Sequence, residues 1–396
     1  MLARCAILDH GGARVCDEGP GGRVKVFVAG DLYIGERLEP YLDQEPSLVL
    51  REALGWVRAA DLAIVNLESP LCVGGRAIKK TGPNMRASPS TARFLKDSGF
   101  RLVALANNHI YDYGDEGLLE TFEHLDAADL GSVGAGKTLE AARNPYVYER
   151  HGETIGILNF AENEWSTTNG PRPGANPVDP ILNFYDIRAL KERVDHVIVI
   201  THGGHETFDL PSSDMKKRLR FYVDAGADAV LNHHQHVVSG YEVYKSAPIF
   251  YGLGNFLFDN GPRNDSEWNR GLAVTLVFGK GEVAFQHHFF DQCGPEIGIR
   301  ECGELESKNR WGQIEKINRV IEDVDILEQE FERFLLGKRK MYRSYLFPSS
   351  NRMLQFLYNR GWFPELMSRR KKRLYLNLIR CESHRDALCR VMEKEA

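Results

Sequence analysis

Short apolar runs recur along this chain, and most of them end on a polar side chain able to bind a metal or a substrate. VKVFVAG runs into Asp31, DLAIVNLES carries Glu68, and RLVALANNH carries Asn107, Asn108 and His109. HVIVITHGGHE carries His202 and Glu206, and DAVLNHHQH carries His233, His234 and His236. TIGILNF and PIFYGLGNFLF are further runs of the same kind, and LAVTLVFG with VAFQHHFF reads as an antiparallel pair around Gly279-Lys280-Gly281. Such runs are what a buried sheet requires, and helical stretches lie between several of them. The pattern predicts a layered α/β domain over about residues 23–303. In an open α/β sheet the loops leaving neighbouring strands converge at the carboxyl edge, where ligands bind.

Charge divides the chain in a second way. The 396 residues hold 50 Lys plus Arg and 55 Asp plus Glu, a net charge of −5. That average excludes a strongly basic nucleic-acid binder and an acidic disordered chain. Within 333–390, however, 15 Lys and Arg face only Glu365, Glu382 and Asp386, a local charge of +12, so the remainder carries −17. INRVIEDVDILEQEFERFLL reads as an amphipathic helix, with further helices expected over 351–358 and 364–392. Three parts are expected: a lead segment 1–22, the α/β domain 23–303, and a basic helical region 304–396. Residues 333–390 either contact anionic lipid, an anionic polymer or an acidic partner, or form a helical cap that packs its apolar face on the α/β domain and leaves its basic face solvated. No stretch reaches about 18 consecutive apolar residues, and the first residues do not read as a signal peptide. Seven scattered cysteines without a CxxC pair suit reduced thiols, so a cytoplasmic location is expected.

The candidate ligands Asp31, Glu68, Asn108, His202, His234 and His236 mix carboxylate, amide and imidazole. That mixture suits Mn²⁺, Fe or Zn²⁺ better than Ca²⁺. Three imidazoles within 233–236 have little structural motive. Glu68, at a strand end, is the natural bridge between two metals, which can clamp the attacking and leaving oxygens of a phosphoester. The polar loop 161–180 contains Arg172, which could clamp a phosphate or carboxylate. A Walker loop, a G-x-S-x-G elbow and a persuasive nucleophilic cysteine are all missing.

Taken in order, these segments resemble the CapA family. The resemblance rests on Gly30-Asp31, Asn66-Leu67-Glu68, Ala106-Asn107-Asn108-His109 with Asp112 and Gly114, and His202-x-Gly204-x-Glu206. It continues through His233-His234-x-His236-Val237 and Tyr251-x-Leu253-Gly254-Asn255-Phe256, and so covers about residues 24–260. The family is linked to poly-γ-glutamate capsule synthesis, and its fold is similar to calcineurin-like metallophosphoesterases, a layered β-sandwich flanked by helices. The resemblance implies Asp31 as a terminal ligand of one metal, Glu68 as the bridge, and His236 returning to the first metal. Asn108, His202 and His234 would hold the second, giving one or two ions per chain. His109 would contact the phosphate or protonate the leaving oxygen, with metal-activated water as nucleophile. Asp112 and Glu206 complete the candidate catalytic set as groups that orient ligands. Asn107, His205, His233, Arg172 and Asn255 are the candidate substrate-binding residues.

The chain departs from the pattern at several points. Phosphoesterases of the wider fold usually open with Asp-x-His, whereas this chain has Asp31-Leu32-Tyr33; His205 is an outside candidate for the missing imidazole. Gly203 stands where tryptophan is usual, Asn232 where glycine is, Gln235 where proline is, and Gly252 where serine is. Every proposed ligand survives these changes, so they bear on the pocket walls and the substrate. The expectation is a metal-dependent hydrolase of a phosphoester with an anionic small-molecule or polymer-precursor substrate. The alternatives are a non-hydrolytic accessory protein in capsule or polyanion synthesis, and a metal-dependent enzyme acting on amide or acyl bonds.

Overall fold

The computed structural model describes residues 6–7, 22–259, 267–279, 282–345, 349, 351–362, 367–380 and 392. Nearly all of the expected lead segment 1–22, the hairpin turn at 280–281 and the end of the third helix fall outside these. After a two-residue strand, Ala6–Ile7, that pairs with Ala284 and Phe285, four parallel strands follow: β1 (Val24–Tyr33), β2 (Leu62–Leu67), β3 (Leu102–Ala104) and β4 (Gly131–Val133). The chain then builds a second sheet from β5 (Tyr146–Arg150), β6 (Glu153–Ala161), β7 (His196–His202), β8 (Ala229–His233), β9 (Tyr241–Tyr244) and β10 (Ala247–Phe250). Its spatial order is β9–β10–β8–β7–β6–β5, with the inner four strands parallel and both edge strands antiparallel. The chain finally returns to the first sheet. β11 (Asn255–Phe258) lies parallel to the end of β1, and β12 (Arg270–Gly279) lies antiparallel to its first half. β12 and β13 (Glu282–Gln292) form the antiparallel pair expected from the sequence.

Alternation along the strands decides how the sheets stack. Val26 and Val28 of β1, Ile64 of β2 and Leu102 of β3 share one apolar layer with Ile155, Ile157, Ile198, Ile200 and Leu231 of the second sheet. Each such fully buried side chain contributes roughly 1.5–3 kcal/mol. The opposite face of the first sheet, with Phe27, Val65 and Val103, packs under α1 (Ser90–Ser98) and α2 (Gly114–Ala127) through Phe94, Leu95, Leu118 and Leu125. On the second sheet, Phe160 meets Tyr222 at 5.6 Å. Tyr222 lies on α4 (Ser213–Ala225), which packs against α3 (Pro180–Lys191). Asp179 caps α3 by accepting from the Ile181 and Leu182 N–H groups, with Pro180 in its first turn, so loop 161–180 ends at a strong helix start. The layers therefore run helix, sheet, sheet, helix, the sandwich that the resemblance implies.

Beyond Gly303, α5 (Glu304–Glu322) belongs to this body. Ile314 is buried in the layer between the sheets, and Trp311 stacks on His287 at 4.1 Å with planes 13° apart. The first compact unit runs to Glu328 and the second covers Gln329–Ala396. The helix expected over 317–336 is two helices, α5 and α6 (Val324–Tyr345). Asp323 separates them: its side chain accepts from the Asp325 and Ile326 N–H groups and starts a new helix. α7 (Arg352–Asn359) and α8 (Arg369–Arg380) follow. Among the described residues no helix is long and apolar enough to cross a membrane.

Candidate metal centre

The carboxyl ends of β1, β2, β7 and β8 bring the ligands together. β1 shifts register against β2 between Val28 and Asp31, a bulge that re-aims the side chains after it. Gly30 permits it, because a Cβ there would stand 2.0 Å from the Gly254 carbonyl oxygen, to which Asp31 N–H donates at 3.1 Å. Asp31 is fully buried. Its Oδ1 accepts from Asn66 Nδ2 at 2.7 Å and its Oδ2 from His234 N–H at 3.0 Å. Glu68 follows β2, equally buried, and neither carboxylate oxygen has a hydrogen-bond partner.

His202 closes β7 directly beside His233, the last residue of β8. The chain then turns with His234 at φ 94° and His236 at φ 57°. Both lie in left-handed backbone that side-chain-bearing residues rarely adopt, and such strain concentrates at functional sites. Around Glu68 Oε1, His202 Nε2 stands at 3.6 Å and His236 Nε2 at 3.7 Å. His236 Nδ1 is also 3.5 Å from Asp31 Oδ2, and His234 Nδ1 is 3.1 Å from His202 Nε2. Asn108 Oδ1 lies 3.0 Å from that same His202 nitrogen.

Two groups of potential ligands result, Asp31–Glu68–His236 and Glu68–His202–His234, and they share Glu68. The donor set fits divalent ions: two buried carboxylates and three imidazoles converge, and an orphaned carboxylate in a dry crevice is costly unless a cation compensates it. A third acidic group, Asp291–Cys302–Glu306, lies elsewhere. Arg300 and Arg310 already pair with its carboxylates, so no charge is left uncompensated there.

Electrostatics follow from burial. It pushes the Asp31 carboxyl up to about 7, against hydrogen bonds from His234 N–H and Asn66 that pull it down. Burial, with the Asp31 charge next, raises Glu68 well above the usual carboxylate range. Burial lowers the imidazoles: His233 falls to about 3, His234 is lowered, and His202 drops well below its ordinary value, helped by the surrounding histidines.

His109 sits at the edge of the group. Its Nδ1 is 2.7 Å from Asp112 Oδ2, an oxygen that also accepts from Met85 N–H at 2.7 Å. Lys80, almost fully buried, bonds Asp112 Oδ1 and places its Nζ 3.2 Å from His109 Nδ1. Asp112 thus orients a neighbour and does not itself face the ligands. Glu206 is exposed on the turn after β7, with His205 half-buried beside it. His233 also comes close to Asp31, its Nδ1 3.5 Å from Oδ1. Both of its ring nitrogens are buried without a hydrogen bond.

Three residues expected to bind substrate make defined contacts within the fold. Asn107 donates to Leu67 O and accepts from the His109 and Ile110 N–H groups, which shapes the turn carrying Asn108. Asn255 Oδ1 is 2.9 Å from His236 Nδ1 and fixes that ring. Arg172 is exposed, donates to Thr167 O and lies over the Tyr111 ring at 5.2 Å. Conversely, Asn66, Lys80, Glu164 and Trp268 make contacts at the site that the residue pattern leaves unassigned. Glu164 Oε1 is 3.8 Å from His234 Nε2, and Trp268 packs on His236 at 4.5 Å.

The four departures from the family pattern at 203, 232, 235 and 252 lie against one another behind the ligand turn. Asn232 Nδ2 donates to Gly203 O at 2.9 Å and to Tyr251 O at 3.0 Å. A Cβ on Gly252 would stand 2.3 Å from Gln235 Oε1, and one on Gly203 would stand 2.5 Å from Glu162 Cγ.

Layered sheets whose strand ends gather carboxylates and imidazoles define a metal-site protein of the α/β class. Residues 25–260 match the family model described as bacterial capsule synthesis protein PGA_cap, and the chain belongs to that family. It is 30% identical over 265 residues to the capsule biosynthesis protein CapA of Bacillus anthracis, covering 64% of this chain and 63% of that protein. It is 32% identical over 255 residues to the PGA biosynthesis protein CapA of Bacillus subtilis, covering 63% and 65%. A probable polyglutamine synthesis accessory protein of Mycobacterium tuberculosis is 27% identical over 285 residues, covering 60% and 74%. The match therefore spans less than two thirds of either Bacillus relative.

Proposed function

We propose that this chain is a metal-dependent hydrolase acting on a phosphoester. One observation carries the reading: two ligand groups share the buried carboxylate of Glu68, and the His109–Asp112 pair stands beside them. Asp31, Glu68 and His236 would hold one ion, and Glu68, Asn108, His202 and His234 a second, with Mn²⁺, Fe or Zn²⁺ as the fitting ions. Such ions, when bound, neutralise charge on phosphoryl oxygens and make water a stronger acid. The chain's own residues supply the rest. Asp112 Oδ2, 2.7 Å from His109 Nδ1, orients the ring, and Nε2 is the nitrogen left for a substrate oxygen. Held in this way and protonated on both nitrogens, His109 donates to a phosphate oxygen or passes the Nε2 proton to the leaving oxygen, returning to the neutral imidazole. The substrate is an anionic small molecule or polymer precursor. Three buried, unpaired thiols, Cys72, Cys293 and Cys302, suit a reducing compartment, and we assign the protein to the cytoplasm on that basis.

The printed names of the relatives favour a second reading, a non-hydrolytic accessory role in synthesis of a capsule or polyanionic polymer. Assays of the Mn²⁺-loaded chain on phosphomonoesters, phosphodiesters and amides separate the readings. Phosphoester turnover is expected, lost in Glu68→Ala together with metal and lost in His109→Ala with metal retained. A fully loaded protein that turns over none of the phosphoesters would overturn the hydrolase reading.

A further inference from the structure

We propose that the C-terminal unit docks on the surface of anionic lipid bilayers through α7, α8 and Trp362. α8 reads RRKKRLYLNLIR. Helical spacing gathers Leu374, Tyr375, Leu378 and Ile379 on one side together with Lys371, and sets Arg369, Arg370 and Arg373 on the other beside Leu376. Leu374, Leu376 and Ile379 are each about half exposed, at 53%, 49% and 54%. α7 adds exposed Met353 and Phe356, and Trp362 follows at 67% exposure. The Arg360 guanidinium lies over both aromatic rings, 4.6 Å from Phe356 and 5.5 Å from Trp362. Residues 351–362 and 367–380 together carry eight Lys and Arg and no Asp or Glu.

Two chemistries on one surface select the partner. A cationic face alone suits any polyanion, but a soluble polyanion offers nowhere to bury leucine, isoleucine and tryptophan. An anionic bilayer takes both: its headgroups meet the Lys and Arg side chains, and its acyl boundary receives the apolar face. Tryptophan and arginine share an apolar body with a polar end, which suits that boundary. α8, with six Lys and Arg in RRKKRLYLNLIR, is too charged to cross the acyl core and lies in the interface plane.

The full chain is tested by sedimentation with vesicles of pure phosphatidylcholine and of phosphatidylcholine mixed with phosphatidylglycerol. Binding to the mixed vesicles alone is expected. It should weaken by about tenfold or more in Arg369→Glu/Arg370→Glu/Arg373→Glu, and fall in Leu374→Ser/Ile379→Ser. Circular dichroism and metal content establish that each variant stays folded. Equal, negligible binding to both vesicles would overturn the proposal. Binding to soluble polyglutamate that matches the vesicles and ignores Leu374→Ser/Ile379→Ser would overturn it too, and would make the surface a polyanion site.

Discussion

Asp31 is the residue on which metal and proton compete. Burial pushes its carboxyl up to about 7 in the folded chain, well above the ordinary aspartate value of about 4. The folded state therefore holds a proton that the unfolded chain has lost between about pH 4 and 7. Asp31 favours folding most fully below that window, and the contribution fades as pH rises through 7. A divalent ion needs the ionised form. His202, His233 and His234, all lowered by burial, stay neutral there and do not compete. Glu68, also raised by burial, must be ionised too, so Mn²⁺ affinity should rise with pH through 7, by about tenfold per pH unit for each proton displaced, with proton release on binding. Calorimetric titrations in buffers of different ionisation enthalpy measure this; a pH-independent affinity would contradict it. The ligands themselves were readable from sequence because each follows an apolar run. Lys80 and Glu164 were not, since their partners are distant in the chain and a single charged residue in a loop gives no periodic signal.

At the scale of elements, the turn after β8 carries the chemistry and the repacked residues support it. Gln235 Oε1 occupies the space that a Gly252 side chain would need. Gly252→Ser should therefore destabilise the protein by about 1–3 kcal/mol. In Gln235→Ala the same change should be tolerated better, with a coupling of about 0.5–3 kcal/mol in a urea-denaturation double-mutant cycle. Additive effects would mean that the four departures are independent. The strand ends could be anticipated from apolar runs and the residues closing them. The break at Asp323 could not, because its side chain competes for backbone N–H groups inside a stretch whose apolar spacing continues unbroken.

Across the whole molecule, the change in composition near Gly303 is not where the compact body ends. α5 places Ile314 and Ile321 in buried positions and stacks Trp311 on His287. An amphipathic stripe has the same spacing whether it covers its own sheet or another surface, so sequence alone could not assign α5 to the body. A chain ended after Glu328 should keep its thermal midpoint within a few degrees. One ended at Gly303 should unfold at a markedly lower temperature, because each lost apolar anchor removes roughly 1.5–3 kcal/mol. Equal midpoints would contradict the packing of α5.

The central claim is that Glu68 joins two metal sites into one centre. Electron paramagnetic resonance of the Mn²⁺-loaded protein, with metal counted per chain, tests it most directly. The account predicts two ions per chain with an exchange-coupled signal that Glu68→Ala abolishes. Isolated single-ion spectra in the unaltered protein, or a coupled pair that survives Glu68→Ala, would contradict it.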